Sequence, residues 1–185
     1  MPTVRGLALA AGALAVAGGL AVAFHYTARA RPASALRVGS TLPEFDLPTL
    51  GHEGRVRTAD VRRHPTVLGI LDTRWPNFYD AVEGLERVNR ALRGRGLLVV
   101  GVFVDEDPAA AREFARTQPA TFTTAHDPRA AALAPRDGPP AAAELLVVVG
   151  GRIVVRSTEV AAWRTPAFRA SLEPFVEPEK PPANP

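Results

Sequence analysis

Thr66-Val67-Leu68-Gly69-Ile70-Leu71 is a continuous β-type run, and it leads into Trp75-Pro76-Asn77-Phe78-Tyr79. An unbroken run of this kind predicts a central strand with both faces covered. Apolar residues then recur at Phe78, Val82, Leu85, Val88 and Leu92. That spacing gathers them on one face of a helix over 78–92, which Gly94-Arg95-Gly96 ends. The Trp75–Tyr79 segment is therefore a strand-to-helix corner carrying three aromatic rings.

The flanking chain extends the same pattern. Leu42-Pro43-Glu44-Phe45-Asp46-Leu47-Pro48 alternates between flanking prolines and reads as an edge strand. Gly51-His52-Glu53-Gly54 turns the chain, and Arg55-Val56-Arg57 returns it as a hairpin. Leu97 to Val104 is a second buried strand. Asp107-Pro108 supplies an N-cap and a first-turn proline for a helix to about Thr117. Phe122–Ala125 is a short extended segment, and Asp127 caps a short helix over 129–134. Leu145–Val149 and Arg152–Arg156 are strands joined by Gly150-Gly151, a two-glycine hairpin turn. Pro166–Val176 is a final helix, broken near Pro174. Strands alternating with helices, closed by a hairpin, predict an α/β mixed sheet: parallel in the centre, with helices on both faces.

Composition bounds the function. The chain has 185 residues, 46% hydrophobic and 22% charged, enough for one ordinary domain with terminal extensions. A net charge of +3, carried mostly by scattered Arg, argues against a nucleic-acid surface. The chain contains no Cys, which excludes disulfides, thiolate metal ligands and thiol nucleophiles. Gly6 to Phe24 is uncharged and, at about 1.5 Å per residue, spans roughly 28 Å, close to the ~30 Å bilayer core. It is expected to be one transmembrane helix acting as a signal anchor; the alternative is a cleaved signal peptide with Ala28-Arg29-Ala30 as its small-x-small site. Arg5 precedes the run, and Arg29, Arg31 and Arg37 follow it. Charge counting alone would leave the domain in the cytoplasm. The short leader, together with the family likeness described next, favours a periplasmic or extracellular domain instead. The expected organisation is 1–30 anchor or signal peptide, 31–37 linker, 38–176 folded domain and 177–185 a Pro-rich disordered tail.

The ordered series of segments resembles the membrane-anchored thioredoxin-like proteins of the TlpA and ResA kind, within the redoxin and alkyl-hydroperoxide-reductase superfamily. Val38-Gly39, with Pro43-Glu44-Phe45-Asp46-Leu47 after it, is similar to that family's entry motif. Asp60-Val61-Arg62 before Pro65-Thr66-Val67-Leu68 is similar to its segment of loop then buried strand, Gly101-Val102-Phe103-Val104-Asp105 to its second core strand, and Val149-Gly150-Gly151-Arg152-Ile153-Val154 to its closing hairpin. The resemblance implies a thioredoxin-like fold and thiol-disulfide chemistry at the Trp75–Tyr79 corner. Here the family's Trp-Cys-x-x-Cys aligns with Trp75-Pro76-Asn77-Phe78-Tyr79, so Pro76 and Tyr79 stand at the cysteine positions. A cis-proline is also implied before Leu145; Pro139 and Pro140 are the nearest candidates, while a gap-free alignment puts Ala142 there.

No catalytic residue, metal site or cofactor is assigned. Asp105-Glu106-Asp107 opens a helix, where acids suit the dipole better than a shared cation. His25, His52, His64 and His126 lack ligand spacing, although His126-Asp127 falls near the expected site rim. Ser40, Ser157 and Ser171 lack nucleophile-elbow glycines. The expected function is a membrane-tethered, redox-degenerate domain that binds a protein or peptide partner through the aromatic corner, with Asp72 and Arg74 beside it. On a bland reading these rings merely pack against Pro139-Pro140. The alternative function is a redoxin-family oxidoreductase or antioxidant enzyme acting through a metal or a partner's thiols. A third reading is a lipid-proximal structural module. Fold alone does not decide among them.

Overall fold

The computed structural model describes residues 36–118, 120–134 and 139–178. Its centre is β3 (Thr66–Leu71), in which every residue is buried. β3 pairs in parallel with β4 (Leu98–Phe103), and β4 pairs in parallel with β5 (Thr123–His126). On its other side β3 pairs antiparallel with β6 (Glu144–Val149), which pairs antiparallel with β7 (Arg152–Ser157). The sheet order is thus β5-β4-β3-β6-β7. A separate hairpin, β1 (Asp46–Pro48) and β2 (Arg55–Arg57), lies ahead of it in the chain. This is the mixed sheet with flanking helices and an N-terminal hairpin that the sequence predicts.

Alternation along the buried strands sends side chains to two apolar layers. One layer gathers Val67, Leu71, Val99, Phe103, Leu145 and Val147 beneath α2 (Phe78–Leu92) and α3 (Pro108–Thr117). Val160 and Trp163 of α4 (Val160–Trp163) and Leu172 of α5 (Pro166–Leu172) join the same layer. The other gathers Leu68, Ile70, Val100, Val102, Leu146 and Val148 beneath the hairpin residues Leu47 and Val56 and Val61 of α1 (Thr58–Arg63). Helices cover the first layer; the second is closed mainly by irregular chain and the hairpin.

Several boundaries differ from the sequence reading, each for a physical reason. The Asp60-Val61-Arg62 segment is helical, and its start is tied by the Arg57 N–H donating to Asp60 Oδ2 at 3.0 Å. The segment after Asp127 is not a short α-helix. It is a 3-10 turn at Pro128–Ala130, with Arg129 and Ala130 at φ 57° and 54°. The Asp127 carboxylate accepts from the Ala132 and Leu133 N–H groups and holds that turn closed. A one-turn helix, α4, precedes the predicted final helix, which itself ends at Leu172 and continues as a 3-10 turn over Glu173–Phe175. Gly150 and Gly151 lie at φ 57° and 80°, the left-handed geometry that a two-residue hairpin turn requires.

Leu36, placed in the linker by sequence, is 1% exposed and belongs to the second apolar layer. At the other end, Glu177 donates its N–H to the Arg95 carbonyl at 3.0 Å. The expected membrane segment, residues 1–35 generally and the tail from 179 lie outside the described residues. Among the described residues no helix is long and apolar enough to cross a membrane.

Candidate binding site at the strand-helix corner

The corner begins where β3 stops. Asp72 is 2% exposed, and its carboxylate accepts three bonds from Arg74: the backbone N–H at 2.9 Å, Nε at 2.9 Å and Nη2 at 2.6 Å. The Arg74 guanidinium beside it holds the Asp72 carboxyl below the usual carboxylate range, against the opposing effect of burial. From the end of β4, the buried Asp105 carboxylate accepts the Thr73 N–H at 3.2 Å and also the Thr73 hydroxyl. Two aspartates at the ends of adjacent parallel strands therefore fix the backbone of 73–74.

The chain then turns into α2. The Trp75 N–H donates to the Asp72 carbonyl at 3.1 Å, and the Phe78 N–H to the Trp75 carbonyl at 3.0 Å. Asn77 is the N-cap residue, but its side chain makes no capping bond. Phe78 points inward and is 2% exposed. Its ring meets Phe103 at 5.9 Å and Phe114 at 5.0 Å, both edge-on. Tyr79 points outward and is 63% exposed, touching Phe78 edge-on at 5.1 Å. Trp75 is half-buried and packs against both apolar layers, while Pro76 is exposed. One ring thus locks the helix start, and the others present an apolar rim with a polar phenol tip. Such rings suit protein recognition, because they offer large rigid area with a hydrogen-bonding handle.

The strand register brings the second half of the predicted site to the same end of the sheet. Ile70 of β3 is paired with Glu144 of β6, so the chain entering β6 arrives beside the chain leaving β3. Pro139 and Pro140 lie on that entry, the first exposed and the second half-buried. No peptide bond among the described residues is cis. Ala143 is fully buried immediately before the strand.

The remaining candidates each have a structural occupation. The three consecutive acids diverge: Asp105 holds Thr73, Glu106 pairs with Arg129, and Asp107 caps α3 by accepting the Ala109 N–H at 2.9 Å. His126 is 8% exposed, and its Nε2 lies 2.8 Å from the Asp105 carbonyl. His52 and His64 are exposed. Among the described residues no three His, Asp or Glu side chains gather as a metal-ligand set; His25 lies outside those residues. Ser157 Oγ accepts from Trp163 Nε1 at 3.1 Å, and the Ser171 hydroxyl donates to the Phe168 carbonyl at 2.6 Å. Sequence reasoning missed one feature at this end of the sheet. Glu144, 1% exposed, accepts from both Nε and Nη2 of Arg156 across the β6–β7 pair. The sequence carries no direct signal for it: the register pairs Arg156 with Leu146, so its contact with Glu144 is diagonal across a hairpin whose register shifts between Val147 and Val148.

Solved structures with this fold include a protein of Chlorobium tepidum taken to be the thiol:disulfide interchange protein DsbE. It is 22% identical at a TM-score of 0.60, over 76% of this chain and 95% of that one. A secreted Mycobacterium tuberculosis disulfide oxidoreductase homologous to E. coli DsbE is 18% identical at 0.56, over 69% and 96%. The thioredoxin domain of a Bacteroides vulgatus thiol-disulfide oxidoreductase is 14% identical at 0.59, over 77% and 99%. At these identities the likeness establishes the thioredoxin-like fold. No curated protein matches the chain. The model of the AhpC/TSA family matches residues 38–135, from the entry segment through β3, the corner, β4 and β5. With more than half of the sequence inside that match, the chain belongs to the AhpC/TSA family.

Proposed function

We propose that this redoxin-family domain is redox-degenerate and works as a binding module: membrane-tethered, outside the cytoplasm, taking a protein or extended peptide on the Trp75–Tyr79 corner. The attacking group of thiol-disulfide exchange is a thiolate, and a chain without Cys has none to offer. Pro76 and Tyr79, at the aligned cysteine positions, supply no replacement nucleophile. The observation that carries the reading is the division of labour among neighbouring rings. Phe78 is committed to the core, whereas Tyr79, 63% exposed, and the half-buried Trp75 have surface left to cover. The tether rests on the length and apolarity of residues 6–24, and the outward orientation on the short leader and the family resemblance.

The test is a pull-down of the full chain from its native membrane, run beside Trp75→Ala and Tyr79→Ala. One discrete partner, lost in both variants, is the expected result; the same partner retained by both would refute the site. Insulin-disulfide reduction and peroxide turnover with the purified chain are expected to be blank, and robust turnover would overturn the degenerate reading. A periplasmically active reporter fused after residue 40 reads the orientation; activity only in the cytoplasm would reverse it.

A further inference from the structure

A second candidate site lies further along α2. Between the C-terminal half of that helix and the α4–α5 junction is a groove of about 380 Å³, lined by Arg87, Arg90, Arg164 and Arg169 with Val88 and Trp163 on its floor. It begins about 13 Å along the α2 axis from Phe78, at about 1.5 Å per residue. Four guanidinium groups around one hollow are more than solvation of a helix face asks for, and they are not equivalent.

Two of them are held in position. Arg87 donates through Nε at 3.1 Å and Nη2 at 2.6 Å to one Glu83 oxygen, and Arg164 Nη1 donates to the other at 3.1 Å. Arg164 also donates to Asp80 at 2.8 Å. The Arg87 and Arg164 bonds hold the Glu83 carboxyl below the usual range, so Glu83 remains an anion that anchors both. The other two have charge to spare. Arg169 is exposed and has no acidic partner among the described residues. Arg90 reaches Glu86 only at 3.5 Å, and both Glu86 oxygens already accept from Thr121, at 2.6 and 2.7 Å. The acids near the groove are thus used to fix arginines or to hold Thr121, and the open guanidinium edges belong to Arg90 and Arg169.

We infer that this groove binds a small ligand carrying phosphate or carboxylate groups. A guanidinium fork matches two oxyanion oxygens at once, which favours Arg over Lys in such sites. The volume falls within the range of small-molecule pockets, about 300–1,000 Å³. The exposed Ala91 and Pro166 in its lining are suited to the non-ionic part of such a ligand. The same chemistry is offered by a soluble polyanion or by the headgroup of an anionic lipid, and the experiment separates these sources.

Purified full-length chain in a neutral detergent is titrated calorimetrically with pyrophosphate, against sodium chloride of matched ionic strength. The same chain in the same detergent is titrated with water-soluble dihexanoyl-phosphatidylglycerol against dihexanoyl-phosphatidylcholine, because the proposed anchor would carry every variant onto vesicles. Arg90→Gln/Arg169→Gln is compared with Arg112→Gln on the exposed face of α3, each confirmed as folded by a thermal melt. Saturable pyrophosphate binding, weakened at least tenfold in the double variant and unchanged by Arg112→Gln, establishes a soluble polyanion. Phosphatidylglycerol binding lost in the double variant alone, without pyrophosphate binding, establishes a lipid headgroup. Heat equal to the chloride control, together with phosphatidylglycerol heat that equals the phosphatidylcholine control or is unaffected by the double variant, overturns the site, and so does equal weakening by Arg112→Gln.

Discussion

Replacing Gly84 with Ala tests how α4 is seated on α2, and the expected sign is opposite to that of the same change ten residues later. A Cβ built at Gly84 would lie 2.8 Å from Trp163 Cβ and 3.6 Å from its carbonyl carbon. Ordinary carbon–carbon contact is about 3.5–4.0 Å, so about 0.7 Å or more must be found. The obstructing atom is attached directly to the backbone, so a rotamer change cannot clear it; α4 itself has to move. Trp163 is 1% exposed and tethered through Nε1 to Ser157, which resists that movement. Overpacking of this kind costs about 1–3 kcal/mol. Against it stands the gain in helix propensity, about 0.8–1 kcal/mol for Ala over Gly. The cost wins by about 1 kcal/mol. Gly94 meets nothing within 4 Å and has no positive φ, so Gly94→Ala keeps only the gain, about 0.4–1 kcal/mol from the restricted unfolded chain. Urea unfolding followed by tryptophan fluorescence reads both. The midpoint falls for Gly84→Ala and rises for Gly94→Ala, the two separating by roughly 0.5–2 M at an m-value of about 1–3 kcal/mol/M. If Gly84→Ala raises the midpoint as Gly94→Ala does, the close approach of α4 to α2 is wrong, and with it the shape of the arginine groove.

The corner supplies the other tests. Phe78→Ala removes a buried ring that meets both Phe103 and Phe114 and is expected to cost about 3–5 kcal/mol in urea unfolding. Tyr79→Ala, at an exposed position, is expected to stay within about 0.5 kcal/mol of the parent, so any loss of partner capture is not a loss of fold. Asp72 has a lowered carboxyl pKa in the folded chain, caused first by the Arg74 side chain. Its contribution is therefore complete above the unfolded value of about 3.9 and is lost as pH falls through the depressed folded value. Asp72→Asn is expected to lower stability at pH 7 and to converge with the parent at strongly acid pH, read as urea midpoints against pH. A deficit that stays constant across that range would remove the Arg74 pairing as its cause.

The elements that were legible in the sequence are those whose stability is written locally. Residues 78, 82, 85, 88 and 92 mark one face of α2, and the helix runs over Phe78–Leu92 before Gly96 turns it at φ 80°. Asp107-Pro108 marks the start of α3 because cap and proline act within one turn. The elements missed are held by tertiary contact. α1 has only Thr58 and Val61 buried, too few for a period to register. α4 is a single turn whose anchor, Trp163, is explained by Gly84 on a distant helix. The Asp127 turn uses left-handed Arg129 and Ala130, residues that carry no such signal, because neither Gly nor Asn stands there. At the candidate site the aromatic corner could be read directly. Asp105 on Thr73, which braces the corner, and Arg156 on Glu144, at the same end of the sheet, depend on strand register and could not.

The corner keeps its shape without sulfur because sulfur is not what shapes it. Asp72 and Asp105 fix 73–74 by bonds to backbone N–H groups, and Phe78 seals the helix start by packing. Thiol catalysis at such a place requires a nucleophile beside a helix N-terminus that lowers its pKa. The helix terminus persists here, with no capping bond from Asn77, but no thiol is present for it to activate. Phe78, between the two aligned cysteine positions, is fixed by packing: a small residue in its place would leave a void beside Phe103 and Phe114, at a cost comparable to much of a small domain's stability. Tyr79 is under no such constraint. Among the described residues its one ring contact is the edge-on meeting with Phe78, and most of its surface faces solvent. A side chain that the fold does not need can be changed without unfolding the domain, so partner capture by Tyr79 variants reports on function and not on stability.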